Sequence, residues 1–309
     1  MQANRHLEEL SPSFLKLIDS ANEITFQPTT DDIAFLSRQL VQVTLPHSDP
    51  GNAQAWSRKN GNLTLTVRPG WDAQNERSYG YPYGTIPRLI LYWMTREALL
   101  KKSPRLELGP SLAGFMRELG LSPDRGGKRS DAARLRNQMQ RLFRASISFD
   151  VQCEHGDRVL ETWVDMPIAP KGELWWSRKS PEQAALWGSW IELGDEFYNA
   201  LITHPVPLDM RALKTLKSSS LALDLYAWTS YRSYRVTRTG TSAMIPWRAI
   251  AKQIGAEYKD HKSFKRRAKQ ALIKVSLVNP GLRYEQVRGG IRLFPSQSAI
   301  PAKHRLLGR

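Results

Sequence analysis

Cysteine is almost absent. Cys153 is the only one in the chain, which excludes an internal disulfide and any cysteine-rich zinc site and points to a reducing compartment. Long apolar runs are missing as well. The densest, Leu89–Met94 (LILYWM), is far short of the roughly 20 residues that span a bilayer. The opening residues MQANRHLEELSPSFLKLID hold no apolar stretch of signal-peptide type. Together these absences predict a cytoplasmic protein without membrane association. Patterns that carry catalysis are scarce too. The six histidines form neither HxH nor HExxH, and no GxSxG occurs. The segment GGKRS suggests a phosphate loop, but Ser122 stands where that loop needs glycine and Arg129 where it needs Ser or Thr. The expectation is no enzyme, no cofactor and no metal.

What remains is a folded, strongly basic chain. Of its 309 residues 41% are apolar and ten are tryptophan, enough for about two hydrophobic cores. The net charge of +16 is unevenly spread. Residues 1–80 carry −2, residues 81–160 +6, residues 161–210 −5 and residues 211–309 +17. Charge kept for solubility would mix its signs. Two basic blocks around an acidic one suit two surfaces that each meet a polyanion, with nucleic acid the leading candidate.

The two blocks read alike. Residues 1–75 look like a leader, with short helices at Pro12–Ser20 and Asp31–Val43 and a strand at Asn62–Val67. Next come three helical patterns, IPRLILYWMTREALLKK, SLAGFMRELGL and DAARLRNQMQRLFRAS. The strands ISFDV and RVLETWV follow around the turn EHGD. The second block repeats that order with SSSLALDLYAWTSYRSY, IPWRAIAKQIGA and KDHKSFKRRAKQALIKVS. Its strands LRYEQV and IRLFP flank Arg288-Gly289-Gly290. Three helices and a basic hairpin match the winged helix-turn-helix plan, in which the third helix enters the major groove. The predicted fold is therefore α+β, two tandem winged helix-turn-helix domains at residues 76–206 and 207–309.

The third helix of each block carries the candidate interface. In the first, Leu135, Met139 and Leu142 share one face, while Arg134, Asn137, Gln138, Arg141 and Arg144 share another. Arg pairs bidentately with guanine, and Asn or Gln with adenine, so this face reads as base-reading. Lys128 and Arg129 precede it. In the second, Phe264, Ala268, Ala271 and Val275 form an apolar stripe opposite Lys262, Lys265, Arg266 and Lys269. Five cations in the eleven residues KSFKRRAKQAL, with no acid among them, repel one another until phosphates release their counterions. Arg283, Arg288 and Arg292 on the second hairpin, and Arg158 on the first, are further candidates for phosphate. The plain alternative is a solvated cationic face; repetition of the scaffold favours DNA. Arg141→Ala is expected to relax preference at one base position, and Lys265→Ala to weaken all sequences alike. Tyr79, Tyr81 and Tyr83 read as packing or turn residues, and Trp175, Trp176, Trp187 and Trp190 as core.

The segments NGNLTLTV, YGYPYGTIPRLILYWMTREAL, SLAGFMRELGL, RLRNQMQRLFRASIS and LKSSSLALDLYAWTSYR carry a family likeness. Across roughly residues 35–295, with gaps, the sequence resembles the plasmid RepA-type replication initiators, which are built from tandem winged helices. The resemblance implies a DNA-binding protein that recognises repeated sites (iterons) at a double-stranded plasmid origin and opens the adjacent AT-rich DNA. It also implies recruitment of host replication proteins (helicase and initiator), repression of the protein's own gene and control of copy number, with a homodimer alongside the monomer. A transcriptional repressor with no part in replication is the competing reading.

Overall fold

The structure, a computed structural model, describes residues 12–26, 32–123, 127, 130–175, 188–255, 258, 260–296 and 300. Helix α1 (Pro12–Phe26) is followed by β1 (Ile33–Leu36) and the short α2 (Arg38–Gln42). Strands β2 (Trp56–Asn60) and β3 (Leu63–Arg68) lead to a small hairpin, β4 (Trp71–Asp72) and β5 (Arg77–Ser78). The first helical group is α3 (Thr85–Lys101), β6 (Arg105–Glu107), α4 (Leu112–Glu118) and α5 (Asp131–Phe143). It continues as β7 (Ser146–His155), β8 (Arg158–Pro167), β9 (Lys171–Glu173) and β10 (Trp190–Glu192). Helix α6 (Asp195–Ile202), β11 (Val206–Asp209) and α7 (Met210–Leu216) connect the groups. The second group is α8 (Ser220–Thr239), β12 (Ala243–Pro246), α9 (Trp247–Ile254), α10 (His261–Val278), β13 (Tyr284–Val287) and β14 (Gly290–Leu293).

Polar side chains set where the main helices start. Ser111, Ser130 and Ser219 accept hydrogen bonds from the Gly114, Ala133 and Ala222 N–H groups, and Asp260 accepts from Ser263 N–H at 2.7 Å. Each cap satisfies a donor that the first helical turn leaves without a partner. No helix among the described residues is long and apolar enough to cross a membrane.

The order helix, strand, helix, helix, strand, strand occurs twice. In the second group the sheet runs β12-β14-β13, and in the first it runs β6-β10-β9. Both place the last strand between the strand that precedes the second helix and the penultimate strand. Sequence reading took β7–β8 as the first hairpin of this plan, but the topological counterpart of β13–β14 is β9–β10. The β7–β8 hairpin is an insertion that joins β2 and β3 in a separate four-stranded sheet, β2-β3-β7-β8.

The segment read as a leader is therefore structural. Strand β3 pairs with β7 from Leu63↔Val151 to Arg68↔Ser146, and β1 pairs with β11 from Ile33↔Asp209 to Leu36↔Val206. Helix α1 packs on α7 and α10. The helix expected over Asp31–Val43 is replaced by β1 and α2. Ile33, Ala34 and Leu36 are all buried, which suits a strand covered on both faces. Such partners lie far away along the chain, beyond any local pattern.

The two groups share one apolar core, with an ionic cluster buried in it. Arg88 on α3 grips Asp224 on α8 in bidentate fashion, at 2.7 Å from Nε and 2.8 Å from Nη2. Its remaining donors reach the carbonyls of Leu45, Pro46 and Gly84. His47 Nε2 completes the cluster at 2.9 Å from Asp224 Oδ2. Burial alone would raise the Asp224 carboxyl, but the Arg88 charge and the bonds from His47 and Arg88 hold it below the usual range. Nearby, Arg58 on β2 donates to Thr44 at 2.7 Å and to the carbonyls of Ile254, at 2.6 Å, and Gly255. It thereby ties the four-stranded sheet to the end of α9.

Candidate nucleic-acid interface

Helix α5 buries Leu135, Met139 and Leu142, as its apolar spacing requires. Its polar face divides into two parts. Towards the N-terminus, Arg134 and Asn137 are exposed. They line a cleft of about 350 Å³ with Tyr83, Thr85 and Ile86 at the start of α3. Arg134 also pairs with Asp131 one turn earlier, at 3.1 Å in a solvated setting, which costs little to exchange for another anion.

Two residues expected to read bases are held inside the protein. Gln138 is 6% exposed, and its Oε1 accepts from Tyr83 N–H at 2.9 Å. Arg141 Nη1 donates to Asp49 at 2.8 Å and to the Tyr81 carbonyl at 3.2 Å, with its guanidinium 5.2 Å from the Tyr83 ring centre. Internal hydrogen bonds already use both side chains, which favours positioning roles over the base reading expected of them. Gly80, at φ +80°, lies so close that a Cβ there would sit 2.8 Å from Arg141 Nη1. The segment SYGYPYG thus runs along α5 and fixes its C-terminal half. Arg144 remains exposed at the helix end, 5.7 Å from the Tyr79 ring centre. Lys128 and Arg129 lie outside the described residues.

In α10 the apolar stripe is as expected, with Phe264, Ala268, Ala271 and Val275 buried together with Leu272 and Val278. Lys262 and Arg266 face solvent one turn apart, while Lys265 and Lys269 are half-buried. None of the four makes an ion pair with a carboxylate among the described residues. The Asp260 carboxyl at the cap is lowered by the N–H and hydroxyl of Ser263, so it is committed to the helix start. On the hairpin beyond, Arg283 and Arg288 are exposed, and Arg292 is paired with Glu285 across the strands at 3.0 Å. Gly289, at φ +88°, supplies the left-handed residue of that turn.

Three further exposed cations were not assigned to the interface from sequence. Arg267 extends the α10 surface, and Arg248 with Lys252 forms an i, i+4 pair on the open face of α9. That spacing between Arg248 and Lys252 was legible. It was obscured by the apolar residues that share the same eight-residue helix. In a helix-turn-helix the first helix crosses the DNA backbone, where such a pair meets phosphate.

The remaining motifs are structural. Tyr92 and Tyr226, at matching places in LILYWMT and LDLYAWT, are fully buried, and Thr95 and Thr229 each donate to the carbonyl four residues earlier. Tyr81 is buried, with its hydroxyl donating to the Ala53 carbonyl. Two tryptophans expected in the core are not there: Trp175 is largely exposed, and Trp190 is half-covered under the Arg105 guanidinium at 4.0 Å. Trp176 and Trp187 lie outside the described residues. No group of three or more His, Cys, Asp or Glu side chains suited to a metal occurs among the described residues.

Known proteins give the same picture of the fold. Residues 81–248 match the family described as plasmid encoded RepA protein. No curated protein matches the chain. A crystal structure of selenomethionine derivatives of domain 2 and domain 3 of RctB superposes with a TM-score of 0.51 at 9% identity. It covers 82% of this chain and 95% of that one. A second crystal structure, of RctB domains 2–3, has a TM-score of 0.47 at 10% identity and covers 80% and 92% of the two chains. The family match spans more than half the residues and includes α3, α4, α5 and α8 entire, so the chain belongs to the plasmid-encoded RepA family of replication initiators.

Proposed function

We propose that this chain starts plasmid replication by binding repeated sites at the origin through two winged helix-turn-helix units. It opens the adjacent duplex and recruits host helicase and initiator proteins. The observation that carries the DNA reading is α10, where Arg266 and Arg267 stand exposed with no ion pair to a carboxylate among the described residues, and Lys262 stands exposed beside the cap residue Asp260. Cations left uncompensated in the free protein gain most when phosphates replace their counterions. Base reading falls to Arg134 and Asn137 in the N-terminal half of α5, the part of a recognition helix that meets base edges. Arg144, Arg248, Lys252, Arg283 and Arg288 are the candidates for phosphate contacts around them. The chain works in the cytoplasm without cofactor or nicking activity and represses its own gene as a dimer.

Two reading helices on one chain serve successive major grooves about 34 Å apart, which predicts protection of about 20 base pairs by one molecule. With about eight phosphates neutralised, log affinity falls against log salt with a slope near −7. Footprinting of DNA flanking the gene at several salt concentrations tests both values, and a single short protected groove would remove the two-reader arrangement. A plasmid carrying only the gene and its adjoining repeats separates initiator from repressor. Replication of that plasmid is expected, and its failure favours a repressor without a replication role. Supercoiled origin DNA incubated with Mg²⁺ should stay unnicked.

A further inference from the structure

The outer part of the β7–β8 hairpin fits neither the core nor the DNA surface. The β3–β7 ladder ends at Leu63↔Val151, with one further bond from Gln152 N–H to the Asn62 carbonyl, and beyond it the hairpin is two-stranded with both faces open. Such a ribbon gains little stability by itself. Yet it carries Val159 at 56% exposure and Leu160 at 55%, and Trp163 at 67% stands at its base opposite Asp150, three of the most exposed large apolar side chains among the described residues. Strand β8 pairs with β7 alone, and its other edge has no strand partner among the described residues. From Arg158 to Val164 that edge contains neither lysine nor proline, the residues that ordinarily block strand addition.

The charge says what this arm meets. Residues 146–167 hold Asp150, Glu154, Asp157, Glu161 and Asp165 against one arginine, Arg158, in a chain of net charge +16. Duplex DNA repels such a surface, so the hairpin does not act as a phosphate-touching wing. A second copy of the arm repels it as well, because each would bring the same acids to the shared edge. A basic strand with alternating apolar residues is complementary on both counts. Val159, Glu161 and Trp163 alternate onto one face of β8, so the added strand would set a cation beside Glu161 between apolar residues beside Val159 and Trp163, with a further apolar residue beside Leu160 on the other face. Main-chain bonds along β8 would supply affinity, and the side chains specificity.

We infer that the outer β7–β8 hairpin is a protein-docking arm that takes a basic, β-forming segment of another protein by strand addition along β8. This rests on the initiator reading, which makes that protein one of the host replication proteins. The insertion of β7–β8 into the first unit, with no counterpart in the second, gives the fold an element free for this use.

The test uses the full chain and the triple variant E154K/E161K/W163T, all exposed positions away from α5 and α10. Plasmid copy number in cells should fall by about tenfold or more. The origin footprint and the sedimentation of the purified variant should match the native chain. The single variant Trp163→Phe, which keeps the aromatic face, should keep copy number. A photo-crosslinker in place of Leu160 should give, in cells, an adduct to a different protein. Unchanged copy number overturns the inference. So does an adduct of two copies of this chain, or altered sedimentation, either of which would make the arm a self-interface. Parallel loss of the footprint overturns it too, by placing the arm on the DNA surface. If the native chain gives no origin footprint, the initiator reading fails instead, and the crosslink alone decides the arm.

Discussion

Helices α5 and α10 hold the same place in two copies of one topology, yet they carry charge in opposite ways. On α5, Arg134 pairs with Asp131, and Arg141 is committed to Asp49, a partner 92 residues away. On α10, Arg266 and Arg267 face solvent with no ion pair among the described residues, and Lys262 has only the cap residue Asp260 nearby. A cation count, three on α5 and six on α10, does not say which of these charges are already engaged within the protein. The lesson is that a cation reserved for a ligand differs from one that holds the fold by the acids brought near it in space. The first unit therefore spends much of its charge on positioning its helix, and the second leaves more of its charge exposed.

The comparison treats the units as two bodies, and the Arg88–Asp224–His47 cluster is where they become one. Asp224→Ala leaves Arg88 buried without its counter-charge and should cost about 3–5 kcal/mol. Calorimetry should show one cooperative transition for the native chain and a much lower Tm for the variant. Separation into two transitions in the variant would show that the ion pair couples two otherwise independent units. Replacing both partners, as in R88M/D224L, should recover most of the loss.

The same cluster makes stability sensitive to pH. His47 is pushed below its ordinary value of 6.5, first by burial and then by the Arg88 charge, against the opposing bond to Asp224; Arg58 adds to the lowering. Because its folded value is the lower one, the unfolded chain binds the extra proton first. Stability is therefore full above about pH 6.5 and is lost as pH falls through that value towards the folded one. The native Tm should drop between pH 7 and pH 5, and His47→Asn should flatten that drop. An unchanged slope would detach His47 from the effect.

A smaller effect separates positioning from reading within α5. Arg141→Ala removes the bond to Asp49 and the bond to the Tyr81 carbonyl, and should cost about 1–3 kcal/mol of stability. Its DNA preference should change only as far as the helix shifts. Asn137→Ala, at an exposed site, should leave stability within about 0.5 kcal/mol. It should weaken specific binding by about 1–3 kcal/mol at one base position. Equal effects of the two changes on stability and on DNA would erase the division of the helix.

Local patterns revealed much of this molecule. The apolar stripes of α5 and α10 announced the helices, and Gly289-Gly290 announced the β13–β14 turn. Long-range pairing was hidden. Nothing near Ile33 indicates that it will pair beside Asp209, and nothing near Leu63 points to Val151. The same limit explains Gln138 and Arg141. Helical spacing placed them on the polar face correctly, but their partners Tyr83, Tyr81 and Asp49 come from a segment that folds back along the helix. The acidity of β7–β8 was legible throughout. It was passed over because the hairpin was assigned the role that β9–β10 fills.

The smallest predicted effect is also the most direct on α10. Each neutralised phosphate contributes about 0.9 to the slope of log affinity against log salt. Arg266→Ala should lower that slope by about this amount while leaving thermal stability unchanged, since the side chain is exposed and makes no ion pair among the described residues. Arg292→Ala should lower it less, because Arg292 must first part from Glu285 before meeting a phosphate, and the pair already offsets part of its charge. The ordering, with Arg266 ahead of Arg292, is what the uncompensated state of α10 demands. Titrations at four or five salt concentrations resolve it, and equal slopes for the two variants would mean that pairing in the free protein does not govern which cations meet DNA.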